Sequence, residues 1–199
     1  MIIFDIGACV GLFIDDSFEK YGEKIEKLYA FEPHKKNYEE LVRKYGDNKK
    51  INLYNHAVSN FDGLARLYKK CKHHPTGDNI GNAGSSLKSD KSNVDTNAFD
   101  LVEVVRLQDF IVANEITNID LLKIDSEGSE YDILEDILES KMYNHIQKIY
   151  FEDHGRKVPS IKAKEEIIIV EIFKLGIQEK FFLQRDHLTY EPLQGRARG

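Results

Sequence analysis

The chain has 199 residues, with 28 Lys or Arg against 34 Asp or Glu, so it carries a formal charge of −6 with 41% hydrophobic and 31% charged positions. That is the composition of an ordinary soluble domain large enough to bury a core without disulfides or a structural metal. It excludes a broad basic face for nucleic acid and a polybasic patch for a membrane surface, and the two cysteines, Cys9 and Cys71, supply neither a disulfide framework nor paired zinc spacing.

In chain order, short apolar runs alternate with amphipathic stretches, the pattern of a parallel sheet wrapped by helices. Strands are predicted at Ile2–Ile6, Lys27–Phe31, Ile51–Asn55, Ile119–Ile124 and Lys148–Glu152. The intervening helices are predicted at Leu12–Ile25, Lys35–Tyr45, Leu107–Ile116 and Ser129–Tyr143. An insertion of strand character, Gly63–Tyr68 and Leu101–Arg106, brackets a Gly/Ser/Asn/Asp-rich stretch, Cys71–Phe99, that reads as one long loop. A helix over Ser160–Leu175 and a hairpin, Lys180–Leu183 with His187–Glu191, close the sheet edge. The expected fold class is therefore α/β, a Rossmann-like sheet that is mostly parallel with an antiparallel C-terminal hairpin strand, in one domain over residues 1–199 with a loop insertion at about 71–99. The apolar opening is interrupted by Asp5 and too short to span a bilayer, so no membrane insertion is expected and a reducing cytoplasm fits. Because the chain starts almost inside its first strand, a preceding helix is expected to be missing or supplied by a partner.

In open α/β sheets ligands bind beyond the carboxyl ends of the strands. Those ends are acidic here: Asp5, Glu32, Asp125, and the run Glu152, Asp153, His154. Carboxylates gathered at one rim need hydrogen-bond donors, a metal or a cationic ligand. The first strand runs into Asp5-Ile6-Gly7-Ala8-Cys9-Val10-Gly11, whose glycines permit a tight turn and close ligand approach. The spacing that cradles a dinucleotide pyrophosphate is missing. Glu32, ending the next strand before Pro33, is placed to accept both hydroxyls of a ribose. Together these features describe a nucleoside site without phosphate recognition, and the sulfonium nucleoside S-adenosylmethionine suits an acidic rim.

The segments Phe4-Asp5-Ile6-Gly7-Ala8-Cys9-Val10-Gly11, Ala30-Phe31-Glu32-Pro33, Ala57-Val58-Ser59, Gly84-Ser85-Ser86-Leu87 and Leu122-Lys123-Ile124-Asp125-Ser126-Glu127-Gly128-Ser129-Glu130 together resemble the FkbM-type methyltransferases, from about Ile2 to His154. These are class I enzymes dependent on S-adenosylmethionine that largely methylate hydroxyls of sugars and secondary metabolites. The chain departs from them at Cys9, where Asn is usual, and in having no helix before its first strand. The resemblance implies cofactor contacts from Asp5, Gly7, Ala8, Cys9, Gly11 and Asp125, with Glu32 and Pro33 at the ribose and His56 and Ala57 at the adenine. An alcohol is a poor nucleophile, so a base is needed. His154 is the first choice, being largely neutral near pH 7, and Asp125, Glu127, Lys123, Glu152 and Asp153 are the other candidates for the catalytic group. A second version places Mg²⁺ between Asp125 and the pair Glu152 and Asp153. Ser85 and Ser86 are expected to reach the acceptor from the substrate-closing lid Cys71–Phe99, which includes Gly77, Gly81 and Gly84, while His73 and His74 read as surface loop. The expected partner is a small-molecule or glycan acceptor, not nucleic acid, with a homo-oligomer left open. The rival readings are a catalytically silent subunit that keeps the cofactor fold and a nicotinamide-linked oxidoreductase.

Overall fold

The computed structural model describes residues 1–71, 83–186 and 188–194. Strands β1 (Ile2–Ile6), β2 (Lys27–Phe31) and β3 (Ile51–Tyr54) alternate with helices α1 (Leu12–Tyr21) and α2 (Lys35–Tyr45). Next come β4 (Ala57–Ser59), β5 (Gly63–Lys70) and β6 (Val94–Arg106), then α3 (Leu107–Ala113), β7 (Leu121–Ile124), α4 (Glu130–Glu139) and β8 (Ile149–Phe151). Helix α5 (Pro159–Lys174) leads to the hairpin β9 (Phe181–Asp186) and β10 (Thr189–Pro192). The main sheet runs β10-β9-β8-β7-β1-β2-β3, with β10 antiparallel to β9 and every other pairing parallel.

Both faces of this sheet are covered, which explains why its strands read as apolar runs rather than alternating ones. On one face Phe4, Ile6, Leu122, Ile124, Ile149 and Phe151 pack with Ile111, Leu134, Ile137 and Ile168 from α3, α4 and α5. On the other, Ile3, Leu28, Ala30 and Leu121 meet Phe13 and Ile14 of α1 and Leu41 of α2. The chain leaves β1 toward β2 and β3, and later fills the other side through β7, β8 and β9. The carboxyl ends of β1 and β7 therefore flank the point where the winding reverses, where such sheets form a crevice.

Two expectations change. The stretch Cys71–Phe99 is not one loop: Val94–Phe99 belongs to the 13-residue β6, pairing Lys70↔Val94, Lys69↔Asp95 and Tyr68↔Phe99 with an irregularity after Tyr68. Its Asn- and Asp-rich composition argues for loop locally, but the long β5 ladder satisfies the backbone and decides the outcome. Strand β4 was also unforeseen; with β5 and β6 it forms a separate sheet of order β4-β6-β5. Within the same stretch, Ser86 exchanges two backbone hydrogen bonds with Tyr68, at 2.7 and 3.0 Å, which ties residues 84–88 alongside β5. His73, His74, Gly77 and Gly81 lie outside the described residues. Among the described residues no helix is long and apolar enough to cross a membrane.

The β1 turn makes the strictest steric demand. A Cβ on Gly7 (φ +81°) would lie 1.8 Å from the carbonyl oxygen of Asp125, so β1 and β7 meet at this turn only because the side chain is missing. Gly22, which ends α1 at φ +51°, has nothing within 4 Å of its would-be Cβ. Gly22→Ala should therefore cost on the order of 1–3 kcal/mol, the penalty of its positive-φ backbone alone. Gly7→Ala should cost more than about 3 kcal/mol, because backbone must move. Urea denaturation of the two variants checks this; equal losses would show that the close approach contributes nothing.

Candidate functional site

The cleft opens between the β1 turn, the end of β2, the start of β4, residues 83–87 and the loop after β7. Three residues of the first turn, Gly7 (φ 81°), Cys9 (φ 50°) and Gly11 (φ 90°), have positive φ. This coiling is held from three sides. The N–H groups of Gly7 and Ala8 both donate to the Phe31 carbonyl at 3.0 Å, and the Cys9 N–H donates to Glu32 Oε2 at 2.8 Å. From α2, the Tyr45 hydroxyl donates to the Gly11 carbonyl at 2.9 Å, and its ring fills the space a Cβ on Gly11 would need. Gly7, Cys9, Glu32, Pro33, His56, Ala57, Ser85, Asp125 and Glu127 line the cleft together, while Asp5, Ala8 and Gly11, expected to touch a cofactor, instead shape the turn from behind.

Glu32 is 6% exposed and faces the cleft across from Gly7. Its Oε1 accepts the His34 N–H at 2.8 Å, as Oε2 accepts that of Cys9, which fixes the carboxylate and leaves further lone pairs for a ligand. Burial pushes its pKa up to about 7, partly offset by those backbone bonds. Burial, then the neighbouring Glu32, pushes the Cys9 thiol up to about 12, so this sulfur is a neutral lining group. Asn37 of α2, which sequence reasoning missed, reaches Cys9 Sγ at 3.8 Å.

Asp5 and Lys123 form a buried ion pair beneath the turn. Lys123 Nζ lies 3.1 Å from Asp5 Oδ1 and 3.4 Å from Asp125 Oδ2, and donates to the Gly7 carbonyl at 3.2 Å. Burial alone would lower the Lys123 pKa, but the two aspartates raise it strongly, so it stays an ammonium. That corrects its expected place among the catalytic groups: it neutralises two carboxylates and holds the turn, without lining the cleft.

Beyond β7, Glu127 (φ 57°) and Gly128 (φ 125°) both adopt left-handed backbone. Strain of this kind persists only where surroundings enforce it. Here the Ser86 hydroxyl donates to the Glu127 carbonyl at 2.6 Å, while the fully buried Lys91 bridges the Glu127 carboxylate and the Gly84 carbonyl. Ser86 is therefore a buried brace rather than an acceptor contact, and only Ser85 of the expected pair lines the cleft. Lys91 was not anticipated; a lysine inside a polar stretch gives no local sign of burial. Within the expected lid, Cys71–Phe99, these bonds tie residues 84–91 to the loop after β7, and residues 72–82 lie outside the described residues.

His154, the expected base, is almost fully buried. Its Nδ1 lies 3.0 Å from Glu130 Oε1, and its Nε2 lies 3.0 Å from Glu127 Oε2 and 3.3 Å from Glu152 Oε1. Burial would lower its pKa, but Glu130 and Glu127 hold it well above 6.5. The ring is an imidazolium with both N–H groups engaged, and it has no lone pair to take a proton. Glu130 also accepts the N–H groups of Ser126 and Gly128, both at 2.9 Å, so it caps the loop before α4.

Of the expected Mg²⁺ set, Asp125 and Glu152 follow neighbouring strands, but Asp153 is turned away from them. Asp153 Oδ1 accepts the Tyr131 hydroxyl at 3.0 Å and the Gly155 N–H at 2.8 Å, and faces a different depression beside Arg156 and Lys162. Asp125, Glu130 and His154 do gather within 4.8 Å. However, the Glu130 oxygens are already engaged by Ser126, Gly128 and His154, and His154 would have to shed a proton held by carboxylates, so this donor set does not suit a hard cation.

The cleft does suit a nucleoside that brings its own hydrogen-bonding groups. Among the described residues, the hydroxyls of Ser126 and Ser129 and Nδ1 of His56 are buried without a hydrogen-bond partner, and all three residues line the cleft. His56 Nε2 is already turned toward Glu103 at 2.8 Å. The two serines sit at the unassigned positions of the 125–130 motif, so only the folded arrangement reveals them.

The charge state of His154 is directly testable. Ring ¹⁵N shifts at pH 7.5 should report a doubly protonated imidazolium; a neutral tautomer would restore His154 as a base. The linked stability has a defined window. His154, raised from 6.5, contributes fully below that value and its contribution is lost as pH climbs through the folded pKa. Glu127, lowered from 4.5 by His154 and Lys91 against its burial, contributes above 4.5 and is lost on acidification. Both are complete only between about 4.5 and 6.5.

Comparison with known proteins bears on the fold and the family. The crystal structure of methyltransferase FkbM from Methylobacillus flagellatus KT matches with a TM-score of 0.54 at 18% identity, over 88% of this chain and 36% of that one. At that identity the likeness concerns the fold, and this chain spans just over a third of the neighbour's length. No curated protein sequence matches it. The Methyltransferase FkbM domain profile covers residues 5–181, most of the chain, which places this protein in the FkbM methyltransferase domain family.

Proposed function

We propose that this protein transfers a methyl group from S-adenosylmethionine to a hydroxyl of a sugar, polysaccharide precursor or glycosylated metabolite. The observation that carries the reading is Glu32: a buried carboxylate at the end of β2, fixed by two backbone N–H groups and turned into a cleft whose glycine turn has no phosphate-cradling spacing. Ribose hydroxyls are donors matched to that carboxylate. The unpaired hydroxyls of Ser126 and Ser129 suit the amino-acid end, and His56 Nδ1 suits a heteroaromatic edge. When bound, the cofactor supplies an electrophilic methyl on a cationic sulfur, which the surrounding carboxylates favour electrostatically. The chain's own residues align the acceptor oxygen and exclude water. An acceptor rich in hydroxyls suits a rim of carboxylates and Ser85. Two free cysteines fit a reducing cytoplasm.

Calorimetric titration with S-adenosylhomocysteine and with NAD tests the reading. Binding of S-adenosylhomocysteine alone, followed by methylation of at least one of a panel of methyl hexopyranosides, is expected. Binding of NAD alone would favour hydride transfer, and binding of neither would favour a silent scaffold.

Two consequences follow from Glu32. Because its ionised form accepts the ribose hydroxyls and its pKa is about 7, S-adenosylhomocysteine affinity should rise roughly tenfold from pH 6 to pH 8. Glu32→Gln should lose on the order of 2–3 kcal/mol of that affinity at pH 8 together with its pH dependence. Stability should move the other way. A carboxyl raised above 4.5 in the folded state burdens the fold as pH climbs from 4.5 to about 7. Glu32→Gln, which does not ionise but loses the acceptor for one of the two backbone N–H groups, should be less stable than the parent at pH 5, and the gap should narrow by pH 8 in urea denaturation. An unchanged dissociation constant would remove Glu32 from the site.

A further inference from the structure

The carboxylates around His154 are not equivalent. Glu130 is completely buried and committed to Ser126, Gly128 and His154. Glu127 lies between Lys91 and His154. Asp125, 25% exposed, is paired with the Lys123 ammonium at 3.4 Å, and Asp153 is turned away toward Tyr131. Glu152 has the most exposed side chain of the three carboxylates set against His154, 31% against 24% for Glu127 and none for Glu130, and its contact with the ring is the longer 3.3 Å approach to a nitrogen that Glu127 already holds at 3.0 Å.

Its position is equally specific. Strands β7 and β8 pair Ile124 with Phe151, and the Glu152 N–H donates to the Ile124 carbonyl at 3.0 Å, so Asp125 and Glu152 end neighbouring strands side by side. Asp125 lines the cleft and its carbonyl touches the Gly7 turn. Glu152 thus sits one strand spacing, about 5 Å, from the place where the turn and β7 would hold the methyl-donating end of the cofactor. It stands beside the residues that line the cleft rather than among them, with its side chain partly open to solvent.

We infer that Glu152, not His154, is the general base, accepting the acceptor's hydroxyl proton as the methyl group is transferred. The inference rests on the methyl-transfer reading above. In the step, the acceptor oxygen forms its bond to the methyl carbon while the carbon–sulfur bond breaks and its electron pair stays on sulfur. The hydroxyl proton passes to a Glu152 oxygen and is later lost to solvent through the exposed side. His154 is the positioning residue: its imidazolium, fixed by Glu127 and Glu130, holds the Glu152 carboxylate at the rim.

The electrostatics suit the role. Burial raises the Glu152 pKa first, and Asp125 just after β7 and Glu127 in the loop before α4 raise it further. His154 and Lys157, in the loop before α5, act against them. The outcome, about 7, keeps a useful fraction ionised at neutral pH while leaving the carboxylate basic enough to take a proton.

The test begins on the cofactor-free protein, with ¹³C-labelled glutamate carboxyls followed by NMR and Glu152 assigned by its loss in Glu152→Gln. A midpoint near 7 is expected; one below about 5.5 would overturn the inference. Glu152→Gln should bind S-adenosylhomocysteine within twofold of the parent. With any methyl hexopyranoside that the parent methylates, its kcat should fall on the order of 10²-fold with little change in KM, and the acidic limb near pH 7 should vanish from the kcat profile. Full activity of Glu152→Gln, or an unaltered pH profile, would reject the base while leaving methyl transfer intact. Failure of the parent to bind S-adenosylhomocysteine would instead reject the underlying reading, and with it this one.

Discussion

Carboxylates from the ends of β1, β2, β7 and β8 share one rim, and two buried cations make that crowding tolerable. Lys123 stands between Asp5 and Asp125 beneath the glycine turn, and the His154 imidazolium stands among Glu127, Glu130 and Glu152. Removing either cation would leave buried like charges without compensation, a far larger penalty than any exposed salt bridge could offset. The arrangement also explains why the catalytic candidates are unequal. A carboxylate that neutralises a buried cation is no longer free to act on a ligand, so the groups doing structural work are excluded from chemistry. Those that neutralise no buried lysine remain available, namely Glu32, held by backbone N–H groups on the nucleoside side, and Glu152, whose contact with His154 is the longer one.

The second sheet completes the cleft. Strand β4 brings Ala57 and Val58, and β5 brings Leu67, to the side opposite the glycine turn. Ser86, bridged to Tyr68, carries the support across to the strained Glu127–Gly128 backbone. The aromatic residues Phe31, Tyr54 and Phe110 pack beneath this region, with the Phe110 ring edge-on to both others at 5.0 Å between centroids. An otherwise unfavourable left-handed glutamate is thus held from a separate sheet by one hydroxyl and one buried ammonium. The strain is offset by contacts distant in sequence.

Much of the fold was legible because it depends on local patterns. Apolar runs separated by amphipathic stretches identified each strand of the main sheet to within a few residues, and the parallel order followed from their alternation with helices. The glycine turn, Glu32 and the 122–130 motif were legible for a similar reason: a close backbone approach tolerates only glycine at position 7, and a strand-terminal carboxylate is conspicuous in an apolar context. Strand content hidden in Val94–Phe99 was not legible. Its residues have little intrinsic preference for extended structure and adopt it because β5 supplies a partner ladder.

The sequence by itself determined the sheet, the turn and which acidic residues end the strands. Only the tertiary structure decided what each does. His154 reads as a neutral base in isolation and becomes an imidazolium because Glu127 and Glu130 approach it from α4 and the loop before it. Asp153 and Glu152 are adjacent in sequence, yet one turns to Tyr131 and the other to the rim. Lys91 and Ser86 become braces because folding carries them to Glu127. Protonation and availability depend on the charges and donors within a few ångströms, and those neighbours come from strands and loops that the linear order does not place together.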